Sequence, residues 1–364
     1  MKHIFILFCI LMLFIQFCKK ADNISPPEEP EYSDFNWLKI ETIGFPPERA
    51  YHDMAYDSES DRVILFSGDS GPAALKMYSD TWAYDHNENK WKNMKPLLSP
   101  EERSGHAMSY DIESDRIILF GAGPRSNVYG FDTWAYDYNS NNWTQMNPAQ
   151  SPPGRFGHRM VYDSGSDRII LFGGNSNGKL VNDTWSYDFN TNTWSEMQPS
   201  NNPPARQYHS MAYDAESDRI ILFGGGFWDG SMGIDYTKQY DDTWAYDFSS
   251  NTWENMEPDI HPTGRIYSDM IYDEKWYRII LFGGGTQSFK EEYHGQGYGN
   301  ETWQYDFNSN EWSEIIMKNP PSFRKKHKLV YDIESDRIIL FGGDAWDLAG
   351  NTILYQNETW VLEK

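Results

Sequence analysis

Along residues 35–364 the apolar positions fall in short runs that alternate with polar ones at a period of two, the period of β-strands with one face turned inward. One stretch shows the unit clearly. His106-Ala-Met-Ser-Tyr-Asp111 is followed by Arg116-Ile-Ile-Leu-Phe-Gly121, then by Thr133-Trp-Ala-Tyr-Asp137, then by a segment opening at Trp143-Thr-Gln-Met146. β-Branched and aromatic residues fill these runs, and Asn, Asp and Ser cluster between them, where hairpins must reverse. The pattern predicts four short antiparallel strands per unit.

The unit is written six times. Its second strand opens at Arg62, Arg116, Arg168, Arg219, Arg278 and Arg337, spaced 51 to 59 residues apart. A repeat of that length carrying four strands predicts a propeller blade, a sheet that buries its faces only against its neighbours. The sixth repeat holds three strands, through Glu358-Thr-Trp360, whereas Trp37-Leu-Lys-Ile40 matches the outer-strand template seen at Trp91, Trp143, Trp194, Trp253 and Trp312. The expected fold is therefore an all-β, six-bladed propeller over residues 35–364, with the N-terminal strand completing the sixth blade and removing an exposed edge.

Glycine pairs end the second strand at Gly173-Gly174, Gly224-Gly225, Gly283-Gly284 and Gly342-Gly343, with Ser67-Gly68 and Gly121-Ala122 in the first two repeats; Asp/Glu-Thr-Trp and a second Trp follow. On these marks residues 35–364 resemble the kelch family, and the resemblance implies a kelch-type β-propeller. It says little about activity, because one fold hosts many unrelated functions. Some similar propellers are sugar oxidases using copper and a tyrosine cross-linked to cysteine, a chemistry excluded here because no cysteine lies in the propeller. Others act on sialic acids as mutarotases or epimerases, which stands as the enzymatic alternative.

Tryptophan separates scaffold from candidate site. Of fifteen Trp, twelve belong to the two repeated positions and are expected in the core; Trp276 reads as a packing change in a turn, and Trp228 and Trp346 lie in loops between second and third strands. Those loops are longest in repeats 4 to 6 and share one face with the connections between blades. They would raise an aromatic rim of Phe227, Trp228, Asp229, Tyr236, Tyr240, Phe289, Tyr293, His294, Tyr298, Trp346, Asp347 and Tyr355. The competing reading is that these rings pack the loops themselves. Carboxylates and a histidine off the repeat, Asp229, Asp235, Glu291, Glu292, His294, Asp344 and Asp347, form no recognisable catalytic constellation.

Arg49, Arg103, Arg155, Arg206, Arg265 and Arg324 each precede an inner strand, and His52, His106, His158, His209, Ser268 and His327 come three residues later. The arginines could ring a channel mouth as anion-holding cations. Their recurrence in every repeat favours loop-fixing hydrogen bonds instead, since ligands seldom have sixfold symmetry. The histidines read as packed strand residues, and neither a metal nor a cofactor is expected.

A formal charge of −23 repels nucleic acid and anionic membrane, so basic-patch functions are disfavoured, no nucleic-acid partner is expected, and membrane contact is expected only through a lipid anchor at Cys18. The N-terminus is a separate object. Met1-Lys-His3 precedes an apolar run from Ile4 to Phe17, of signal-peptide length and short for a membrane span, followed by Cys18 and a Pro/Glu-rich tether. This resembles a bacterial lipoprotein signal, implying a signal over residues 1–18, lipidation at Cys18 and a tether over residues 19–34, although Phe17 departs from the small residue usual before the cysteine. The only cysteines are Cys9 and Cys18, so disulfides do not staple the propeller. The expectation is an exported, monomeric, lipid-anchored or secreted protein that binds a protein or glycan without catalysis, with a purely structural propeller as the alternative beside the enzymatic one.

Overall fold

The computed structural model describes residues 34–71, 76–123, 130–227, 238–286, 298–347 and 352–364, and for Tyr298, Trp346 and Asp347 the backbone. Every regular element among them is a β-strand. From inner to outer edge, sheet 1 runs Asp53–Asp57, Arg62–Phe66, Thr81–Asp85 and Lys90–Asn93. Sheet 2 runs Ala107–Asp111, Arg116–Phe120, Thr133–Asp137 and Asn142–Met146, and sheet 3 runs Arg159–Asp163, Arg168–Phe172, Thr184–Asp188 and Thr193–Met197. Sheet 4 runs Ser210–Asp214, Arg219–Phe223, Thr243–Asp247 and Thr252–Asn255. Sheet 5 lengthens its middle strands to Arg278–Thr286 and Tyr298–Asp306 between Asp269–Asp273 and Glu311–Ile315. Sheet 6 runs Lys328–Asp332, Arg337–Phe341 and Thr359–Glu363, and its outer strand is Asn36–Ile40, paired antiparallel with Asn36 opposite Glu363.

The second strands are unbroken apolar runs because both of their faces are covered. In sheet 2, Ile117 and Leu119 join Ile64 and Phe66 of sheet 1, while Ile118 and Phe120 join Ile169 and Leu171 of sheet 3. Equivalent clusters join sheets 3 and 4, 4 and 5, 5 and 6, and 6 and 1. Each outer-strand indole also donates Nε1–H to the threonine hydroxyl of the preceding sheet's Asp/Glu-Thr-Trp. The pairs are Trp143 with Thr81 at 2.9 Å, Trp194 with Thr133 at 3.0 Å, Trp253 with Thr184 at 3.0 Å and Trp312 with Thr243 at 2.9 Å. Trp37 reaches Thr302 at 3.1 Å and Trp91 reaches Thr359 at 3.0 Å, so sheet 6 is bonded to sheet 5 on one side and to sheet 1 on the other. Burying an indole removes on the order of 150–250 Å² from water, an upper estimate of roughly 4–6 kcal/mol each.

The glycine pairs answer a close approach. Gly174 has φ 98°, and a Cβ there would stand 2.9 Å from the Phe156 carbonyl oxygen and 2.9 Å from the His158 Cβ. Ser67 takes the first position of the pair in sheet 1 at φ 61°, with its hydroxyl accepting the Arg103 N–H at 2.9 Å.

Candidate functional site

Strands alternate in direction, so the loops between second and third strands share one face with the connectors between sheets. Each connector arginine is buried on that face, between 0% and 2% exposed. Its Nε donates to the carbonyl two residues earlier, Nη1 donates to the first carbonyl of the glycine pair, and the guanidinium meets the acid of Asp/Glu-Thr-Trp. Arg49 grips Asp80 at 2.7 and 2.8 Å, Arg103 grips Asp132 at 3.0 and 2.9 Å, Arg155 grips Asp183 at 2.7 and 2.7 Å, and Arg206 grips Asp242 at 2.6 and 2.7 Å. Arg324 reaches Glu358 at 2.9 Å, while Arg265 stands 3.6 Å from Glu301. The reading of these six as a cationic ring at a channel mouth is thereby corrected. Desolvating a guanidinium is costly unless it is paired, and here the pairing fixes connector to loop. Burial alone would raise Asp80, Asp132, Asp183 and Asp242, but the arginine hydrogen bonds and charge, with the tryptophan N–H two residues on, hold them below the usual carboxylate value.

Between each arginine and the histidine, or Ser268 in sheet 5, lies a residue in the left-handed region: Tyr51 at φ 54°, Gly105 at 80°, Gly157 at 67°, Tyr208 at 57°, Tyr267 at 59° and Lys326 at 61°. Their backbones hydrogen-bond in sequence, Gly105 N to Tyr51 O, Gly157 N to Gly105 O, Tyr208 N to Gly157 O, Tyr267 N to Tyr208 O and Lys326 N to Tyr267 O, at 2.7–3.0 Å. The three tyrosine rings gather where the inner strands converge. Tyr208 and Tyr267 have ring centroids 4.2 Å apart, and Tyr51 meets Tyr267 edge to face at 5.5 Å. Lys326 Nζ sits 4.7 Å from the Tyr51 ring centre and bonds Asp344 at 2.6 Å. Burial would lower Lys326, but Tyr51, Asp344 and Tyr355 raise it well above its ordinary value, so it is a fixed cation.

One layer below, Asp53, Arg159, Asp269 and Lys328 form a buried charge network. Lys328 Nζ lies 3.1 Å from Asp53 and 2.9 Å from Asp269, and Arg159 lies 3.5 Å from Asp269 while donating to the His209 carbonyl at 3.0 Å. Beyond it a cavity of 270 Å³ is walled by all six inner strands, with Met54, Met108, Met160, Met211 and Met270 among its lining. His52, His106, His158, His209 and His327 are buried and stack edge to face on phenylalanines of the preceding sheet, as His158 does on Phe120 at 5.7 Å. Burial, with neighbouring arginine charge, pulls His52, His106, His158 and His209 well below their ordinary value; His327 falls to about 3.

Of the sequence-derived rim, Trp228, Asp229, Tyr236, Phe289, Tyr293 and His294 lie outside the described residues, as do Asp235, Glu291 and Glu292. Tyr240 is corrected to a scaffold role: it is buried, with the Arg206 guanidinium 4.1 Å from its ring centre. Phe227, half-buried, opens a two-residue hairpin opposite Lys238. Asp344–Asp347 pairs with Thr352–Tyr355, with the Trp346 backbone opposite Ile353, Asp347 opposite Thr352 and Tyr355 opposite Asp344, and Tyr298 pairs with Gly285 at the far end of sheet 5. Sequence reasoning missed Tyr51, Tyr208, Tyr267 and Lys326. Their signal was a repeat position that changes chemistry from copy to copy.

Radial four-stranded sheets packed through repeated indoles and phenylalanines, with arginine-clamped connectors, define a β-propeller. The chain belongs to the kelch-repeat β-propeller family: the Attractin/LZTR1 beta-propeller model matches residues 123–295 and 175–361, and the KLHDC2/KLHL20/DRC7 Kelch-repeats domain model matches residues 31–202. Among relatives, an F-box/kelch-repeat protein of Arabidopsis thaliana is 26% identical over 67% of this chain and 52% of its own length. Mei4-dependent protein 6 of Schizosaccharomyces pombe is 22% identical over 82% of this chain and 45% of its own. The flagellar outer arm dynein alpha chain of Chlamydomonas reinhardtii is 24% identical over 78% of this chain and 6% of its own. The chain spans about half or less of the length of these relatives.

Proposed function

We propose that the protein is a non-catalytic binding propeller, six-bladed and closed by its N-terminal strand, that recognises a protein or glycan through the loops of sheets 4 to 6. The observation that carries the reading is the layout of the connector face. Each arginine clamp ties a connector to the base of a long loop, and in sheets 5 and 6 the connector becomes an added strand, Arg265–Ile266 or Arg324–Lys325, under the loop hairpin. A rigid base beneath variable loops suits recognition. The ionisable groups at the centre do not suit proton transfer: Lys326 is held by Asp344, the histidines are buried neutral, and the charge layer is paired internally. The indole links from Trp37 to Thr302 and from Trp91 to Thr359 support closure of the ring.

The proposal extends to place. The apolar run Ile4–Phe17 and Cys18 support export and a lipid anchor, with the propeller as a monomer in the cell envelope. The test is binding of the chain to a glycan array and to surface proteins, beside a Trp228→Ala/Trp346→Ala double variant. Loss of binding in the variant upholds the rim. Binding unchanged in the variant overturns it, and sugar turnover by the wild type would favour the mutarotase or epimerase alternative.

A further inference from the structure

Sheet 5 breaks the repeat at the turn between its inner and second strands, on the face opposite the long loops. In the other sheets the inner-strand tyrosine bonds the aspartate ending that turn: Tyr56 to Asp61 at 3.0 Å, Tyr110 to Asp115 at 3.0 Å, Tyr162 to Asp167 at 3.0 Å, Tyr213 to Asp218 at 2.9 Å and Tyr331 to Asp336 at 2.7 Å. The arginine that follows pairs with the acid ending the third strand, as Arg62 does with Asp85 at 2.7 Å and Arg337 with Glu363 at 2.8 Å. Sheet 5 instead reads Glu274-Lys-Trp-Tyr-Arg278, with Tyr277 in place of the aspartate. The Tyr272 hydroxyl loses the bond that its counterparts make to the turn and lies instead beside Asp214 and Glu216 of sheet 4. Arg278 donates to Gln304, forms no ion pair among the described residues, and keeps Nε and Nη2 buried without partners. Unsatisfied buried groups cost stability, so the departure is not neutral packing.

What replaces the lost contacts is an exposed aromatic and cationic patch. Trp276 is 41% exposed and Tyr277 60% exposed, and Ile333 in the neighbouring turn is 44% exposed. Phe35 meets Trp276 edge to face at 6.2 Å, and the Arg278 guanidinium lies 4.5 Å from the Phe35 ring centre. Lys364 Nζ stands 4.9 Å and Lys275 Nζ 5.6 Å from the Trp276 ring centre. Asp34 and Asp336 partly offset Lys364 and Lys275, and the Asp273 carboxylate partly offsets the half-buried Arg278, on a chain of net charge −23.

The first described residues, Asp34 and Phe35, adjoin the patch, and the apolar run Ile4–Phe17 and Cys18 precede them in the sequence. Tryptophan and tyrosine favour the headgroup region of a bilayer, and lysine and arginine beside them reach anionic headgroups. We propose that Trp276 and Tyr277, flanked by the exposed Lys275 and Lys364, are a seat on a lipid bilayer surface that turns the long-loop face outward. The inference rests on the anchoring reading for its tether and on this patch for its chemistry. One tethered chain plus one patch gives two weak attachments, and two attachments fix an orientation that one cannot.

The experiment couples the full chain through its cysteines, Cys9 and Cys18, to maleimide-bearing vesicles of phosphatidylethanolamine and phosphatidylglycerol. Coupling supplies the tether whether or not a cell lipidates Cys18. Lipids brominated near the headgroup end of their chains should quench part of the tryptophan emission, and that part should vanish in Trp276→Phe. Amide exchange across residues 273–278 should slow on the vesicle, and the slowing should be lost in Trp276→Ser/Tyr277→Ser, whose melting temperature should match the wild type because both side chains are exposed. Equal quenching in wild type and Trp276→Phe, or unchanged exchange, overturns the seat. Flotation of the uncoupled native chain against Cys18→Ala tests the anchor separately.

Discussion

Sheets 1 to 4 and sheets 5 and 6 meet the same structural demand with different acids. In the first four an aspartate faces the connector arginine with both oxygens and accepts the indole N–H of the following tryptophan, at 2.7 Å for Trp82, Trp134 and Trp185 and 2.8 Å for Trp244. In sheet 6, Glu358 still serves Arg324, Trp360 and Lys39, and these contacts overcome burial to hold it at about 2. In sheet 5 the longer side chain misses: Glu301 is 3.6 Å from Arg265, and the Trp303 Nε1 is buried without a partner. The loosened clamp lies where the middle strands are longest and the turn at the other end also departs from the repeat. Regular repeats supply the scaffold, and the broken ones supply whatever distinguishes this chain.

The largest expected effect is acid sensitivity, in which sheet 5 again stands apart because Ser268 replaces the histidine. The folded imidazoles titrate below the unfolded value of about 6.5, so their stabilising contribution is complete above that pH and is lost as pH falls beneath it. His327, at about 3 when folded, would contribute a loss of roughly 2 kcal/mol by pH 5. Urea midpoints at pH 7.5 and pH 5 should differ by more than any substitution below causes, and His327→Ser should shrink the difference. Equal midpoints would mean the histidines are not buried neutral.

Next comes the indole contact between sheets 5 and 6, set against its counterpart between sheets 1 and 2. Trp37→Ala should cost about 3–5 kcal/mol, as should Trp143→Ala within sheet 2, because each empties an indole site and orphans a threonine hydroxyl. A much smaller cost at Trp37 in urea unfolding would separate sheet 6 from the ring. The clamps themselves rank third. Asp183→Ala leaves Arg155 buried without its acid and should cost about 3 kcal/mol, whereas Glu301→Ala removes a contact already lengthened and should cost about 1 kcal/mol. Similar values for the two would erase the contrast between the regions.

The repeat was legible because its marks are local: Arg-Ile-Ile-Leu-Phe, the glycine pair and Asp/Glu-Thr-Trp recur within one sheet. The outer strand at Trp37 could be read because it copies a template. The clamp could be guessed from recurrence but not assigned, since Arg155 and Asp183 are 28 residues apart and only the fold brings them together. Tyr51, Tyr208, Tyr267 and Lys326 were illegible for a related reason. Each occupies a position that is glycine in sheets 2 and 3, so the sequence showed variation where the structure shows a convergence of rings at the axis. The cost of the Trp276 turn was hidden as well. That Tyr272 and Arg278 lose their partners follows only from knowing that Asp61 and its counterparts hold those groups elsewhere.

The smallest effect is the sharpest test of the contrast. Glu301→Asp restores the acid used in sheets 1 to 4 and shortens a side chain whose carboxylate lies over Gly299, in the space a Cβ would take. If the shorter acid seats as Asp242 does, Arg265 gains a two-point grip and the Trp303 N–H gains an acceptor, a stabilisation of about 1 kcal/mol from bonds now unmade. Thermal unfolding reads that gain. Stabilisation with partner binding weakened would show that the loosened clamp serves the sheet 5 loop, because a tighter base restricts the loop it carries. Stabilisation with binding intact would make Glu301 a tolerated imperfection, and no stabilisation would place the difference between the regions in the backbone of the lengthened strands instead of in the acid.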